Sequence, residues 1–367
     1  MTALTKADLL DWLHESRPAR LQELYERANS VRRQHVGDAV HLRGLIEISS
    51  HCARQCMYCG LRAANSSLER YRMTREEILN CALHAERLGY GTVVMQAGED
   101  AELTAEWIEE IVWWIKRETA LAVTLSLGER REDELQLWRT AGADRYLLRF
   151  ETSDQNLFRA IHPARVPAGP SRIALLRTLK SLGYEAGGGV MVGIPGQSFE
   201  SLAEDILTFR ALDLDMIGIG PYIPHASTPL GTGALRPPID PSEQVPSNEE
   251  MVYKMLALTR LVCPNANIPS TTALATINKV DGRKQGLRVG ANVVMPNLTP
   301  VKYRSLYQIY PAKACIDEAA DDCNQCLRGQ IHSIGRFAGR GSGRRGTLET
   351  PANIPPDASA QFVQLQS

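Results

Sequence analysis

The chain carries almost no net charge. Its 41 lysines and arginines nearly cancel its 42 aspartates and glutamates, leaving −1 at neutral pH. A surface built for nucleic acid or an anionic membrane would show a clear basic excess, so neither partner is expected. Long apolar runs are missing too: no stretch reaches the roughly 18 apolar residues that mark a membrane-spanning helix. The first residues, Met1-Thr-Ala-Leu-Thr-Lys-Ala-Asp8, lack the basic-then-apolar pattern of a secretion signal. Cysteine is sparse, and eight in 367 residues is too few for the dense disulfide framework of a secreted scaffold. Free thiols imply a reducing compartment, so the cytoplasm is the expected location. The glycine-rich stretch from Gly187 to Glu200 is not followed by Gly-Lys-Ser/Thr, which excludes a phosphate loop there.

What is present centres on Cys52-Ala-Arg-Gln-Cys56-Met-Tyr-Cys59-Gly60, three thiols within eight residues. A zinc site prefers four ligands, usually as two separated pairs, and His51 directly abuts Cys52, so the two side chains do not converge easily on one metal. A cubane [4Fe–4S] cluster normally takes four thiolates. Three from one loop leave one iron open to bind a substrate, which makes a cluster the expected occupant of Cys52, Cys56 and Cys59.

The rest of the chain is organised around this loop. Residues 7 to 35 read as two helices separated near Pro18, with apolar faces at Leu9, Leu10, Trp12 and Leu13 and at Leu21, Leu24 and Tyr25. From Leu45, short apolar runs alternate with amphipathic helices. The strands begin at Leu45, Thr92, Leu121, Arg145, Gly187, Met216, Asn267 and Ala291. Thr74 and Glu77 form a capping box at one helix start. Eight such units over about 250 residues predict a closed (β/α)8 barrel, with an open doubly wound sheet as the alternative. The cysteine loop follows the first strand and so belongs at the barrel's active-site mouth. The expected organisation is a helical cap over 1–43, a barrel over 44–300, an extension over 301–334, and a basic glycine-rich tail with poor order over 335–367.

Other candidates sit at predicted strand ends. Gln96 and Gly98 end the second strand, where a glycine lets backbone approach a ligand. Thr124 ends the third, and its hydroxyl can face the mouth or bond locally. Glu151 ends the fourth, where a carboxylate can hold both hydroxyls of a ribose. Arg172 opens the next helix and can pair with a ligand carboxylate or form a rim ion pair. Tyr303, Tyr307 and Tyr310 suit one helical face, so Tyr307 and Tyr310 point either into a cavity or into the core. Cys315, Cys323 and Cys326 form a second triad, read as a further iron–sulfur centre, with zinc or unligated thiols as the alternative. Cys81 and Cys263 read as buried apolar residues.

The Cys-x3-Cys-x2-Cys spacing with Tyr58 before the last cysteine resembles the signature of the radical S-adenosylmethionine (SAM) enzymes. The match narrows with Leu68-Glu-Arg-Tyr-Arg-Met-Thr74, Asp144-Arg-Tyr-Leu-Leu-Arg-Phe-Glu-Thr152, Met216-Ile-Gly-Ile-Gly-Pro-Tyr-Ile-Pro-His225, Gly290-Ala-Asn-Val-Val-Met-Pro-Asn297 and Tyr307-Gln-Ile-Tyr-Pro311. Together they resemble the branch holding the HydE maturases of [FeFe]-hydrogenase, methylornithine synthase and biotin synthase. Ala97 and Phe150 depart from the pattern beside two of these motifs. The resemblance implies a [4Fe–4S] cluster on Cys52, Cys56 and Cys59, with SAM chelated to the open iron. It implies SAM contacts at Glu151 and Arg172, with Gln96, Gly98 and Thr124 as weaker candidates, and a substrate cavity at Met295, Tyr307 and Tyr310. It implies reductive cleavage of SAM to methionine and a 5′-deoxyadenosyl radical, and an auxiliary cluster on Cys315, Cys323 and Cys326. On the HydE side it further implies an iron–cysteine carbonyl–cyanide synthon from HydG as substrate, the scaffold HydF as recipient, and ferredoxin or flavodoxin as electron donor. The alternatives are an enzyme acting on a small amino acid or vitamin precursor, and a non-catalytic iron–sulfur carrier.

Overall fold

The first strand is buried at every one of its positions, β1 (Ala39–Ser49). That is the burial expected of a strand covered on both faces, as in a parallel α/β sheet. The computed structural model describes residues 4–164 and 169–349. The strands that follow are β2 (Thr92–Ala97), β3 (Ala122–Ser126), β4 (Arg145–Leu147), β5 (Glu185–Val192), β6 (Met216–Pro221), β7 (Val293–Val294) and β8 (Phe337–Gly339). β1 to β6 pair in sequence order, each parallel to the next, and β7 pairs parallel with β1. Between β6 and β7 the ring closes through single bridges, Met216 to Asn267 and Pro269 to Val293. Residues 267–269 therefore fill the seventh position, and the eight-stranded barrel expected from the alternating pattern is what the chain forms.

Helices cover the outside. The helix Arg75–Arg87 starts at Thr74, whose hydroxyl accepts from Glu77 N (3.3 Å) while the Glu77 carboxylate accepts from Thr74 N (2.9 Å). The two N-terminal helices are Lys6–His14 and Pro18–Val36. They pack on the barrel helices Phe199–Ala211 and Glu249–Val262. The expected start of the barrel at residue 44 falls inside β1, which begins at Ala39. The polar residues His41 and Arg43 disguise the first half of this strand in the sequence.

The tail requires the larger correction. Its basic, glycine-rich composition suggested poor order from 335, yet the described part is built into the barrel. β8 pairs with the first residues of β1, Ala39 to His41. The next residues cross the lower end of the ring. Ser342 O accepts from Thr92 Oγ1 (2.9 Å) and Arg145 Nη2 (3.0 Å), and Gly343 O accepts from Arg43 Nη2 (3.1 Å) and Asn267 Nδ2 (2.9 Å). Arg345 pairs with Asp213 (2.6 Å) and Asp215 (3.0 Å). The reason is a demand for acceptors. Arg43, within β1, and Arg145, at the start of β4, are buried, water does not reach them, and each donates to a tail carbonyl. The remainder of the expected tail, 350–367, lies outside the described residues.

Arg145 also pairs with Glu185 and donates to Thr92 Oγ1 (3.1 Å). Replacing it with Met should leave a largely buried carboxylate short of its partner and release the tail. The expected loss is about 3–5 kcal/mol of unfolding free energy, the usual cost of breaking a buried ion pair from one side. Denaturant unfolding measures it, and a change below about 1 kcal/mol, the scale of exposed pairs, would show that the tail is not anchored there.

Candidate active site

The loop after β1 has no regular structure, so other segments must fix its shape. Ala53 N donates to Glu99 O (2.9 Å), Met57 N to Ile161 O (2.8 Å) and Gly60 N to Ile309 O (3.1 Å). Arg70 adds four bonds, to the carbonyls of Ser50 (2.5 Å), Leu61 (2.8 Å), Arg62 (2.9 Å) and Asn65 (3.3 Å). Two glycines allow the close approach. A Cβ at Gly98 would lie 2.2 Å from His51 O and 2.6 Å from the Cys52 Cβ, and one at Gly60 would lie 2.0 Å from Gln308 O. Gly98 was expected to admit a ligand; its missing side chain admits the cysteine loop.

Cys52, Cys56 and Cys59 carry free thiols. Burial pushes all three above the ordinary thiol range, Cys56 to about 12; Cys52 raises Cys56 further, and Cys56 and Cys52 raise Cys59. Their sulfurs do not all lie within 4.8 Å of one another, whereas a tetrahedral zinc ion would hold its sulfurs about 3.8 Å apart. A cubane spreads its cysteines more widely, and three free thiols lining one cavity, Cys56 buried and Cys52 and Cys59 partly so, fit such a cluster. Binding it requires the thiolate form, so loading must displace protons.

The three thiols line a cavity of about 310 Å³ that runs from the mouth into the barrel. Gln96, Gly98, Thr124, Glu151, Arg172, Met295, Tyr307 and Tyr310 line the same cavity, so these candidates, scattered in sequence, meet in space. Glu151 has a left-handed backbone, φ 64°, uncommon for a residue with a Cβ. One of its carboxylate oxygens accepts from Tyr58 OH (3.3 Å), and the other is buried without a partner. The Thr124 hydroxyl is likewise buried and unpartnered. Gln96 Nε2 donates to Tyr307 OH (3.2 Å).

Arg172 belongs to a charged network that spacing alone did not reveal. It donates to Glu129 (2.8 Å), to Arg149 O (2.7 Å) and to His162 Nε2 (2.7 Å), and it lies 3.4 Å from Glu99 and 3.9 Å from Glu151. Arg54 faces the other ring nitrogen of His162 at 3.0 Å. Burial, then the two guanidiniums, pushes His162 down to about 2, so the ring is neutral. Burial, then Glu129, raises Glu99 above the usual carboxylate range. Glu47 and Lys313 also line the cavity and were missed. A carboxylate inside the apolar run Leu45-Ile-Glu-Ile was a readable signal for the first; nothing local marked the second.

The second triad is only partly assembled. Cys315, Glu318 and Cys323 present ligand atoms within 4.8 Å of one another. Cys326 stands apart: it lies one turn beyond Cys323 on the helix Ala320–Ser333, is exposed, and accepts from Gln330 Nε2 (3.3 Å). A hydrogen bond from Cys323 draws the Cys315 thiol below its ordinary range. None of the three lines the main cavity.

The loop's dependence on Arg70 is testable. Arg70→Met should leave several loop carbonyls unsatisfied and loosen the three thiols. After iron–sulfur reconstitution, the variant should lose iron to a chelator at least tenfold faster than the parent at equal folded content. An unchanged rate would mean that the backbone bonds suffice.

The profile of the Radical SAM superfamily matches residues 46–209. A search of curated proteins finds the [FeFe] hydrogenase maturase subunit HydE of Thermotoga maritima at 45% identity over 330 residues, 90% of each chain. The 3-methylornithine synthase of Methanosarcina acetivorans is 29% identical over 294 residues, 79% of each chain. Among solved structures, a methylornithine synthase superposes with a TM-score of 0.78 at 25% identity, covering 92% of this chain and 95% of that one. With that barrel, that cysteine loop and 45% identity over nine-tenths of its length, the chain belongs to the HydE family of radical SAM enzymes.

Proposed function

We propose that the chain acts in [FeFe]-hydrogenase maturation, using SAM to modify a small metal-bearing substrate inside the barrel. One observation carries this reading: a single cavity joins three free thiols to an unpartnered carboxylate oxygen of Glu151 and to a largely apolar interior that Glu47 and Lys313 also line. A carrier that only stored or passed electrons would have no use for that interior.

Cys52, Cys56 and Cys59 hold the [4Fe–4S] cluster, which when bound supplies the electron that splits SAM into methionine and a 5′-deoxyadenosyl radical. The electron comes from ferredoxin or flavodoxin. Glu151 accepts from the ribose hydroxyls of SAM, a task that its free oxygen and fixed backbone suit. Arg172, held in place by Glu129 and the Arg149 carbonyl, pairs with the SAM carboxylate. Gln96, Gly98 and Thr124 complete the SAM contacts. Met295, Tyr307 and Tyr310 face the substrate, an iron–cysteine carbonyl–cyanide synthon delivered by HydG, whose product passes to HydF. Enclosure matters because a primary carbon radical abstracts hydrogen from many C–H bonds, so the walls must exclude competitors. Cys315 and Cys323 hold a second iron–sulfur centre, and Cys326 or Glu318 supplies a further ligand.

Anaerobic reconstitution, reduction and chromatography for 5′-deoxyadenosine test the central assignment. Glu151→Gln should weaken SAM binding by roughly 1.5–3 kcal/mol, the worth of a charged hydrogen-bond acceptor, with cluster content unchanged. Equal SAM affinity would remove Glu151 from the site. Cys52→Ala, Cys56→Ala and Cys59→Ala should each abolish SAM cleavage. Replacing Cys315, Cys323 and Cys326 together should remove the iron of the second centre and leave that of the first; iron analysis of both sets decides between two centres and one.

A further inference from the structure

Glu47 and Lys313 form a direct ion pair inside the barrel. Glu47 is fully buried in β1 and Lys313 is 7% exposed. The second Glu47 oxygen accepts from Asn297 Nδ2 (3.0 Å), and the Lys313 ammonium lies 5.3 Å from the Tyr307 ring centre. Both charged residues line the cavity.

Such a pair is not explained by stability. Removing two ions from water costs several kcal/mol each, and well-packed apolar residues of similar volume are often at least as stable. Nor does it belong to the contacts assigned above to SAM. Those are Gln96, Gly98, Thr124, Glu151 and Arg172, on or after β2, β3 and β4, whereas this pair lies near the end of β1, beside Gln96 in the sheet, and on the segment before Cys315, and neither side chain bonds to any of them. Its value is electrostatic selectivity. A ligand that brings one carboxylate and one ammonium can open the pair without leaving either protein charge alone: Lys313 takes the carboxylate and Glu47 the ammonium. A ligand with only one of these charges would strand the opposite protein charge in a site that water reaches poorly, and stranded buried charges carry a heavy penalty.

We infer that Glu47 and Lys313 are the subsite that holds the zwitterionic head of an α-amino acid, free or as the amino-acid part of a larger substrate. The inference deepens the proposed function and rests on it for the identity of the reaction.

The test uses reconstituted, SAM-loaded protein without reductant, so binding is measured apart from chemistry. The probes are S-methyl-L-cysteine, its deaminated acid and its decarboxylated amine, titrated calorimetrically. The parent should bind the amino acid at least tenfold more tightly than either fragment. Glu47→Gln/Lys313→Met removes both charges together, so no ion is orphaned, and it should lose the preference. Lys313→Arg should keep it, which a purely structural role would not predict. Equal binding of the three probes, a preference that survives in the double variant, competition between the amino acid and SAM, or no saturable binding to the parent would each overturn the inference. Failure of the parent to cleave SAM on reduction would instead overturn the proposed function, and the binding result would stand apart from it.

Discussion

A buried loop must place every backbone amide and carbonyl on some partner, and that demand governs this site more than any single side chain. The cysteine loop makes no ladder of its own. Its amides go to Glu99, Ile161 and Ile309, and several of its carbonyls go to Arg70. These partners come from the end of β2, from a helix beyond β4 and from the segment that follows β7. The thiols are thus positioned by the whole upper rim of the barrel, and the absence of a side chain at Gly98 and Gly60 lets that rim close around them.

Whatever depended on near neighbours in the chain could be read directly. The spacing of Cys52, Cys56 and Cys59, the capping pair Thr74 and Glu77, the alternation that builds the barrel, and Glu151 at a strand end are all local patterns. What failed to show was set by distant partners. Arg70 and His162 look like ordinary polar residues until the chain folds, because their partners are chosen by three-dimensional proximity. Lys313 has no local mark, since its meaning comes from Glu47 on a strand far earlier in sequence. The tail was misjudged for the same reason. Composition records that Gly335 to Gly346 is basic and glycine-rich, but not that Arg43 and Arg145 sit buried in β1 and β4 and donate to its carbonyls.

The two ends of the barrel handle charge in different ways. At the lower end, Arg43 and Arg145 donate to carbonyls of the crossing residues, and Arg145 also pairs with Glu185. At the upper end, charged and polar atoms face open space: the free oxygen of Glu151, the Thr124 hydroxyl and the exchangeable pair of Glu47 with Lys313. Burial of polarity serves architecture below and recognition above.

The order of segments along the chain has a consequence for biosynthesis. The cysteines are translated well before Ile309, which grips their loop, and before β8 with the crossing residues, which seal the ring. While the ribosome is still making the later part, the three thiols exist on a loop whose last restraint has not been made, within a barrel that is not yet closed. The interval before completion is therefore when the cysteine loop is most open to cluster delivery, and also when its unprotected sulfurs are most open to oxidation.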